Sequence, residues 1–160
     1  MSSTAAPKDT SITTVTEISA LEDSVQKIRL DTEKLVKFID TEDDLIRLVE
    51  TIENVPTHPP SLYVDLEGVN LSQHGSISIL QVFVYPRDET YLVDVYTLKK
   101  KAFTVPSSKT GETLLSILES SDIPKVFFDV RNDSDALFSH FGVKLTGVID
   151  LQLMELATRS

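Results

Sequence analysis

Three strand-like segments in close succession constrain the fold of this chain more than any other feature of its sequence. They are "LYVDLEG", "SISILQVFVYP" and "ETYLVDVYTL", and only short polar connections containing "SQHG" and "PRDE" separate them. Apolar runs of this length and alternation, bounded by turn residues, are typical of β-strands. Because the connections are short, the pattern predicts an antiparallel meander of three strands.

The flanking sequence adds helices and further strands to this meander. Before it, "KLVKFID" alternates like a strand, and "TEDDLIRLVETIEN" predicts a helix that Thr41 caps and that ends at the prolines of "VPTHPP". After it, the pattern predicts a helix in "GETLLSILES", a strand in "IPKVFFDV", a helix in "DSDALFSHFG" closed by Gly142, and a strand followed by a helix in "KLTGVIDLQLMELA". This order predicts an α/β domain with a mixed sheet flanked by helices.

One domain accounts for the length of 160 residues, and we assign it to residues 35–160. We expect residues 1–34 to be a leader, disordered through about residue 17 because it is rich in Ser and Thr. Its second half allows a short helix, since Ile18, Leu21, Val25 and Ile28 recur at helical spacing. The sequence ends just as a helix begins, so we expect the domain to be incomplete at its C-terminus.

Composition excludes several classes of protein. The chain contains no cysteine, which rules out disulfide scaffolds, thiolate zinc sites and cysteine nucleophiles. No apolar run approaches the roughly 18 residues of a membrane span. The start has neither the apolar core of a secretory signal nor an Arg-rich transit pattern, so we expect a location in the cytoplasm or nucleus.

The net charge of −10 argues against a basic nucleic-acid-binding module, because Lys and Arg supply most phosphate contacts. It argues less against a metallonuclease, which contacts phosphates through bound cations. Lys99, Lys100 and Lys101, with Lys109 nearby, form the one basic cluster in the sequence. A solvated lysine run and a track for a phosphate backbone both explain it.

Two carboxylates interrupt the first strand of the meander. Residues two apart on a strand share a face, so Asp65 and Glu67 lie side by side with Tyr63, opposite to Leu62, Val64 and Leu66. Two close carboxylates repel each other unless a cation lies between them. Oxygen ligands of this kind suit Mg²⁺ or Mn²⁺, and phosphodiester hydrolysis is the reaction that most often uses such a pair of ions. The alternative is a strand end whose acids simply face solvent.

A second acidic cluster, "FFDVRNDSDALF", follows the strand-like "KVFF". Asp133 falls where that strand turns into the next helix, from which its side chain could face the same pocket. It could equally be a first-turn acid that complements the helix dipole. We expect Asp129 and Asp135 to be structural or solvated.

The stretches around these acids, from "LYVDLEGVNLSQHGSISILQVFV" through "KVFFDVRNDSDALFSHFGVKL" to "VIDLQLMELA", resemble the DEDD family of 3′-to-5′ exonucleases. Within it, the ribonuclease D-like branch and the exonuclease 3′-5′ domain proteins are most similar. The resemblance covers roughly residues 35–160. It implies a ribonuclease H-like fold, two bound divalent ions, and stepwise removal of nucleotides from the 3′ end of a single strand of RNA or DNA.

Position by position, the resemblance makes Asp65, Glu67 and Asp133 the metal-binding and catalytic carboxylates. It implies that Leu66 and Gly68 contact the terminal nucleotide through their backbone. Asp150 matches a position that the family often fills with Asp, although it is not usually a metal ligand.

The sequence departs from the family in its third motif. That motif is a Tyr or His followed four residues later by the last metal-binding Asp, and no such pair follows Asp133. His140 is too near the second motif to replace it, and we expect it on a helix surface, with His58 and His74 in loops. The leading hypothesis is a 3′-5′ exonuclease domain that uses two metal ions. The alternatives are a catalytically degenerate domain of the same fold that binds nucleic acid or protein, and an unrelated α/β domain with surface acids.

Overall fold

Six strands and six helices make up the domain in the computed structural model, which describes residues 18–22, 24–27 and 35–159. A 3₁₀ turn, Tyr85–Arg87, joins the third strand to the fourth. In chain order the elements are β1 (Val36–Ile39), α1 (Glu42–Ile52), β2 (Leu62–Glu67), β3 (Ile79–Val84), β4 (Glu89–Asp94), α2 (Val95–Leu98), α3 (Lys101–Thr104), α4 (Leu114–Glu119), β5 (Lys125–Phe127), α5 (Arg131–Phe141), β6 (Val148–Asp150) and α6 (Leu151–Thr158).

All six strands belong to one sheet, in the order β1-β4-β3-β2-β5-β6. The strands β2, β3 and β4 are consecutive and antiparallel, which confirms the predicted meander. The outer pairs β1 with β4, β2 with β5 and β5 with β6 are parallel. The predicted α/β class with a mixed sheet flanked by helices is therefore confirmed.

One face of the sheet carries the hydrophobic core. Along β2 the side chains of Leu62, Val64 and Leu66 are at most 5% exposed, while the alternate residues are not buried. Buried residues of α1, α3, α4 and α5 join the same cluster, including Leu48, Phe103, Leu118 and Leu137. The two-residue period of β2 predicts this division correctly, because successive side chains of a strand point to opposite faces.

The opposite face remains partly open in the described part of the chain. Phe38, Leu92, Gln81 and Asp65 are register partners across four adjacent strands, so they share this face. Phe38 is 53% exposed and Phe128, just after β5, is 66% exposed. A cavity of about 350 Å³ lies here, lined by residues that include Tyr63, Phe83, Phe128 and Leu151.

The predicted helix ends are confirmed. Thr41 caps α1 by accepting a hydrogen bond from the backbone N–H of Asp44, at 3.2 Å. Gly142 ends α5 with φ = 75°, the left-handed conformation that glycine adopts without strain. The start of α4 has a capping box that the sequence analysis did not identify, formed between Thr113 and Ser116.

Lys125 is a buried cation inside this fold. Its ammonium donates hydrogen bonds to the carbonyl oxygens of Ile117 and Ser120, at 3.0 and 2.6 Å. Burial lowers the pKa of Lys125 to about 8. The side chain therefore ties β5 to the C-terminal end of α4, where free carbonyl oxygens favour a positive charge.

The described residues before Val36 belong to a unit separate from the domain. Residues 18–22 and 24–27 are helical, and Ile18, Leu21 and Val25 are 51 to 66% exposed. The predicted disordered segment and Ile28 lie outside the described residues. None of the described helices is both long and apolar enough to cross a membrane.

Candidate active site

Asp65 and Glu67 lie at the C-terminal end of β2, a central strand of the sheet. Both side chains are exposed, and they alternate with the buried Val64 and Leu66. The two-residue period of a strand predicts this alternation. It places two carboxylates side by side at the C-terminal end of this strand, outside the core.

Asp133 reaches the same region from a different element. It lies in the first turn of α5, and the strand before that helix, β5, is the parallel neighbour of β2. Its side chain is only 5% exposed. Burial, together with the negative charges of Asp65, Asp129 and Glu67, raises the pKa of Asp133 to about 7. Asp65 and Glu67, although 66 or more residues away along the chain, therefore lie close enough for their charges to act on the carboxyl of Asp133.

Asp150 organises the backbone from which Asp133 projects. Its carboxylate accepts hydrogen bonds from the backbone N–H groups of Asp129 and Val130, at 3.1 and 3.2 Å, and from that of Gln152, at 2.9 Å. No side chain of the preceding residues caps α5, and Val130 stands at its N-cap position. Although burial acts to raise it, these backbone donors lower the pKa of Asp150. Asp150 thus joins β6 to the first turn of α5.

The loop after Glu67 packs tightly upon itself. A Cβ atom on Gly68 would lie 1.8 Å from the carbonyl oxygen of Ser76, and one on Gly75 would lie 2.0 Å from that of Asn70. Any side chain at either position would displace backbone. The resemblance pointed to Gly68 as a nucleotide contact, and the fold adds a packing reason for glycine there.

Two residues of α5 hold this loop against the helix. The carboxylate of Asp135 accepts a hydrogen bond from the backbone N–H of Gln73, at 2.8 Å. The Nε2 of His140 donates to the carbonyl oxygen of Ser72, at 3.0 Å. The placement of His140 on a helix surface is therefore only partly correct, because the ring is half-buried in a contact with the loop. The sequence carries no signal for this contact, since its partner is a backbone atom 68 residues away.

The remaining candidates have simpler environments. Leu66 is 4% exposed in the core, so only its backbone is available for a ligand. Asp129 forms a two-pronged ion pair with Arg131, with N–O distances of 2.6 and 2.9 Å. His58 and His74 are exposed loop residues, as predicted.

The donor set of the site suits a hard divalent cation. It consists of carboxylates, and no cation or hydrogen-bond donor among the described residues contacts the side chains of Asp65, Glu67 or Asp133. A cation would offset the burial and the neighbouring negative charges that together raise the pKa of Asp133. Among the described residues, however, no three acidic or histidine side chains converge closely enough to form a coordinating group. The carboxylate ligands therefore fit a magnesium- or manganese-type ion, but in this structure they do not form a complete coordination group.

The profile of a 3′-5′ exonuclease family matches residues 36–159, which include the whole sheet and all three acids. The chain belongs to this family. Its curated relatives include the piRNA biogenesis protein EXD1 of Mus musculus, 36% identical over 94 residues, and that of Xenopus laevis, 37% identical over 86 residues. These matches cover 59% and 54% of this chain but only 15% and 17% of the relatives.

Solved structures support the same assignment and identify the fold as ribonuclease H-like. Trypanosoma brucei RNase D in complex with RNA U12 is 30% identical, with a TM-score of 0.64 over 76% of this chain and 39% of that chain. An EXD2 exonuclease domain soaked in Mn and GMP is 25% identical, with a TM-score of 0.58 over 76% of this chain and 58% of that chain. The predicted DEDD 3′-5′ exonuclease domain is therefore confirmed at the level of family and fold.

Proposed function

We propose that this domain binds the 3′ end of a single-stranded nucleic acid and hydrolyses its terminal phosphodiester bonds, with Asp65, Glu67 and Asp133 as ligands of two Mg²⁺ or Mn²⁺ ions. One observation supports the proposal: Asp133 is buried beside the end of β2, where burial and the negative charges of Asp65, Asp129 and Glu67 raise its pKa to about 7. Clustered carboxylates with a perturbed pKa are typical of functional sites.

Each residue of the site has a distinct part in this proposal. Bound divalent ions supply water activation and charge stabilisation at the leaving oxygen. Asp65 and Glu67 project from a hydrogen-bonded strand, which limits their movement, and Asp133 projects from a helix turn that Asp150 holds. The backbone of Leu66 and Gly68 lies between and beside the carboxylates, where it can contact the terminal nucleotide.

Similar proteins support both the ion and the substrate class. The RNase D structure contains RNA, and EXD2 exonuclease domains have been soaked with Mn or Mg together with GMP. By analogy, this chain binds a divalent ion and a nucleotide-containing strand in our proposal. RNA and DNA are both candidates.

One structural observation favours a second candidate function. In the part of the chain that the structure describes, no three acidic or histidine side chains converge closely enough to form a coordinating group. The alternative is therefore a degenerate domain that binds nucleic acid or protein without turnover.

A metal titration tests the ligand assignment without requiring activity. Saturating Mn²⁺ should raise the melting temperature of the unsubstituted chain, because a ligand that binds only the folded state stabilises it. Asp65→Asn, Glu67→Gln and Asp133→Asn should each remove most of that increase. Asp135→Asn keeps a side-chain oxygen for Gln73 and is the matched control. A full Mn²⁺ response in Asp133→Asn would refute its role as a ligand.

A hydrolysis assay separates the exonuclease from the degenerate domain. A 5′-labelled single strand of RNA or DNA should shorten stepwise from its 3′ end in Mn²⁺, and a strand ending in a 3′-phosphate should serve as the blocked control. Loss of the ladder in Asp65→Asn would assign the hydrolytic activity to this site. Binding of the strand with no ladder in the unsubstituted chain would contradict hydrolysis by this chain and favour the degenerate domain.

A further inference from the structure

The segment from Tyr96 to Lys101 lies at the same edge of the sheet as the candidate active site. Because β2 and β4 are both antiparallel to β3, they run in the same direction, and Glu67, Ile79 and Asp94 are register partners across the three strands. The chain therefore leaves β4 beside the end of β2. Tyr96 and the lysines follow immediately.

Two backbone hydrogen bonds connect this segment to Glu67. The N–H of Ser78 donates to the carbonyl oxygen of Glu67 at 2.8 Å, and the N–H of Tyr96 donates to the carbonyl oxygen of Ser78 at 3.1 Å. Adjacent strands lie about 4.8 Å apart, so the backbones of Glu67 and Tyr96 are about 10 Å apart. A nucleic-acid strand that ends at the carboxylates can reach this segment.

Tyr96 and Lys99 present an aromatic ring and a cation together at the surface. The side chain of Tyr96 is 69% exposed. The Nζ of Lys99 lies 3.8 Å from the centroid of the ring, a cation–π contact. An exposed aromatic ring beside lysines is the combination with which proteins bind single strands, since bases stack on the ring and phosphates contact the cations.

The nearby acidic residues leave two of the lysines available. Lys101 forms an ion pair with Glu42 at 2.6 Å, and the carboxylate of Asp94 accepts hydrogen bonds from the backbone N–H and hydroxyl of Thr97. Asp40 lines the same depression without a described partner. Lys99 and Lys100 form no ion pair with any residue that the structure describes.

We propose that Tyr96, Lys99 and Lys100 form a second contact site for the substrate strand, upstream of its 3′-terminal nucleotide. The ring of Tyr96 stacks on a base, and the two ammonium groups contact phosphates. This inference rests on the proposed function, because it needs a strand whose 3′ end lies at Asp65 and Glu67. It also explains how a chain with a net charge of −10 holds a polyanion.

Binding of a 5′-fluorescein-labelled oligo(U) and of the matching oligo(dT) tests the site, with the metal chelated so that hydrolysis does not occur. Tyr96→Ala should weaken binding by about tenfold, within the range for one stacked base, and Tyr96→Phe by less than twofold. The combined Lys99→Ala and Lys100→Ala variant should reduce the slope of log K against log salt by about 1.4, because each single-strand phosphate contact contributes about 0.7.

Matched controls lie at the opposite end of the central strands, where β2 begins. Tyr85 is 56% exposed and donates its backbone N–H to Ser61, which precedes β2. Lys144 is exposed and precedes β6, which runs parallel to β5. Tyr85→Ala and Lys144→Ala should therefore leave affinity and salt slope unchanged.

The outcomes separate this inference from the proposed function. If Tyr96→Ala binds as tightly as the unsubstituted chain, or if Tyr85→Ala loses as much affinity, the second contact site is wrong while the metal assignment stands. If Tyr96→Ala weakens binding but Mn²⁺ neither stabilises the chain nor supports a ladder, the result supports the second contact site and contradicts the proposed hydrolysis. Absence of strand binding by the unsubstituted chain, with and without Mn²⁺, would overturn both.

Discussion

Asp150 supplies from a neighbouring strand the hydrogen-bond acceptor that the start of α5 lacks. Its carboxylate accepts three backbone N–H groups and is 9% exposed. Asp150→Asn replaces one acceptor oxygen by a donor, so we expect the free energy of unfolding to fall, because a backbone N–H at the start of α5 loses its partner. Urea denaturation measures it.

The same substitution tests whether Asp150 positions Asp133. If Asp133 is a metal ligand, Asp150→Asn should also reduce the increase in melting temperature caused by Mn²⁺, although Asp150 itself need not touch the ion. Asp122→Asn, at an exposed loop position, should change neither quantity. An unaltered Mn²⁺ response in a destabilised Asp150→Asn chain would restrict the residue to a structural role.

Glu89 makes part of the stability depend on pH. Desolvation acts to raise its pKa, but hydrogen bonds from Lys37, Tyr91 and Arg87 outweigh it and lower the pKa from 4.5 to about 2. A carboxylate with a lowered pKa in the folded state stabilises the protein above pH 4.5, and this contribution disappears as the pH falls towards 2.

We therefore expect Glu89→Gln to cost on the order of 2 kcal/mol at pH 7, after allowance for solvent screening. At pH 2 to 3 the difference from the unsubstituted chain should shrink strongly. Denaturant midpoints at both pH values measure this. A cost that does not vary with pH would contradict the role of the ionised carboxylate.

Among the elements of the fold, α5 and the loop after β2 form the frame of the site. The helix carries Asp133, the loop continues from Glu67, and Asp135 and His140 connect the two. Asp135→Ala removes the acceptor of the Gln73 amide, so that amide should exchange with solvent faster, by roughly tenfold or more. Hydrogen exchange followed by NMR measures it.

The controls for this contact are on the same helix. Asp135→Asn keeps an acceptor oxygen and should largely preserve protection of Gln73, and Asn132→Ala at an exposed position should not change it. Unchanged exchange in Asp135→Ala would mean that packing alone holds the loop.

Sequence patterns were most informative for elements whose signals are local. The Thr41 cap, the alternation of β2 and the end of α5 at Gly142 each depend on residues a few positions apart, and each prediction was correct. The role of Lys125 was missed, because its partners are backbone carbonyl oxygens that a sequence pattern does not specify.

For the molecule as a whole, the two faces of the sheet differ in how well they are covered. Phe127 and Phe128 are adjacent in sequence but are 1% and 66% exposed. Phe127→Ala should cost about 3 to 5 kcal/mol, since it leaves a cavity in the core, whereas Phe128→Ala should cost less than about 1 kcal/mol. Thermal or urea unfolding of the two variants measures this asymmetry, and equal costs would contradict it.

The sequence by itself determined the α/β class, the meander and the candidate carboxylates, because strand period, helix caps and motif spacing are properties of short segments. Only the tertiary structure decided that Asp133 lies close to Asp65 and Glu67, that Asp150 holds the first turn of α5, and that Tyr96 follows a strand ending beside Glu67. These relations depend on the strand order β4-β3-β2-β5-β6 and on backbone hydrogen bonds between distant residues. Sheet order is set by packing of the whole chain, and no local pattern encodes it.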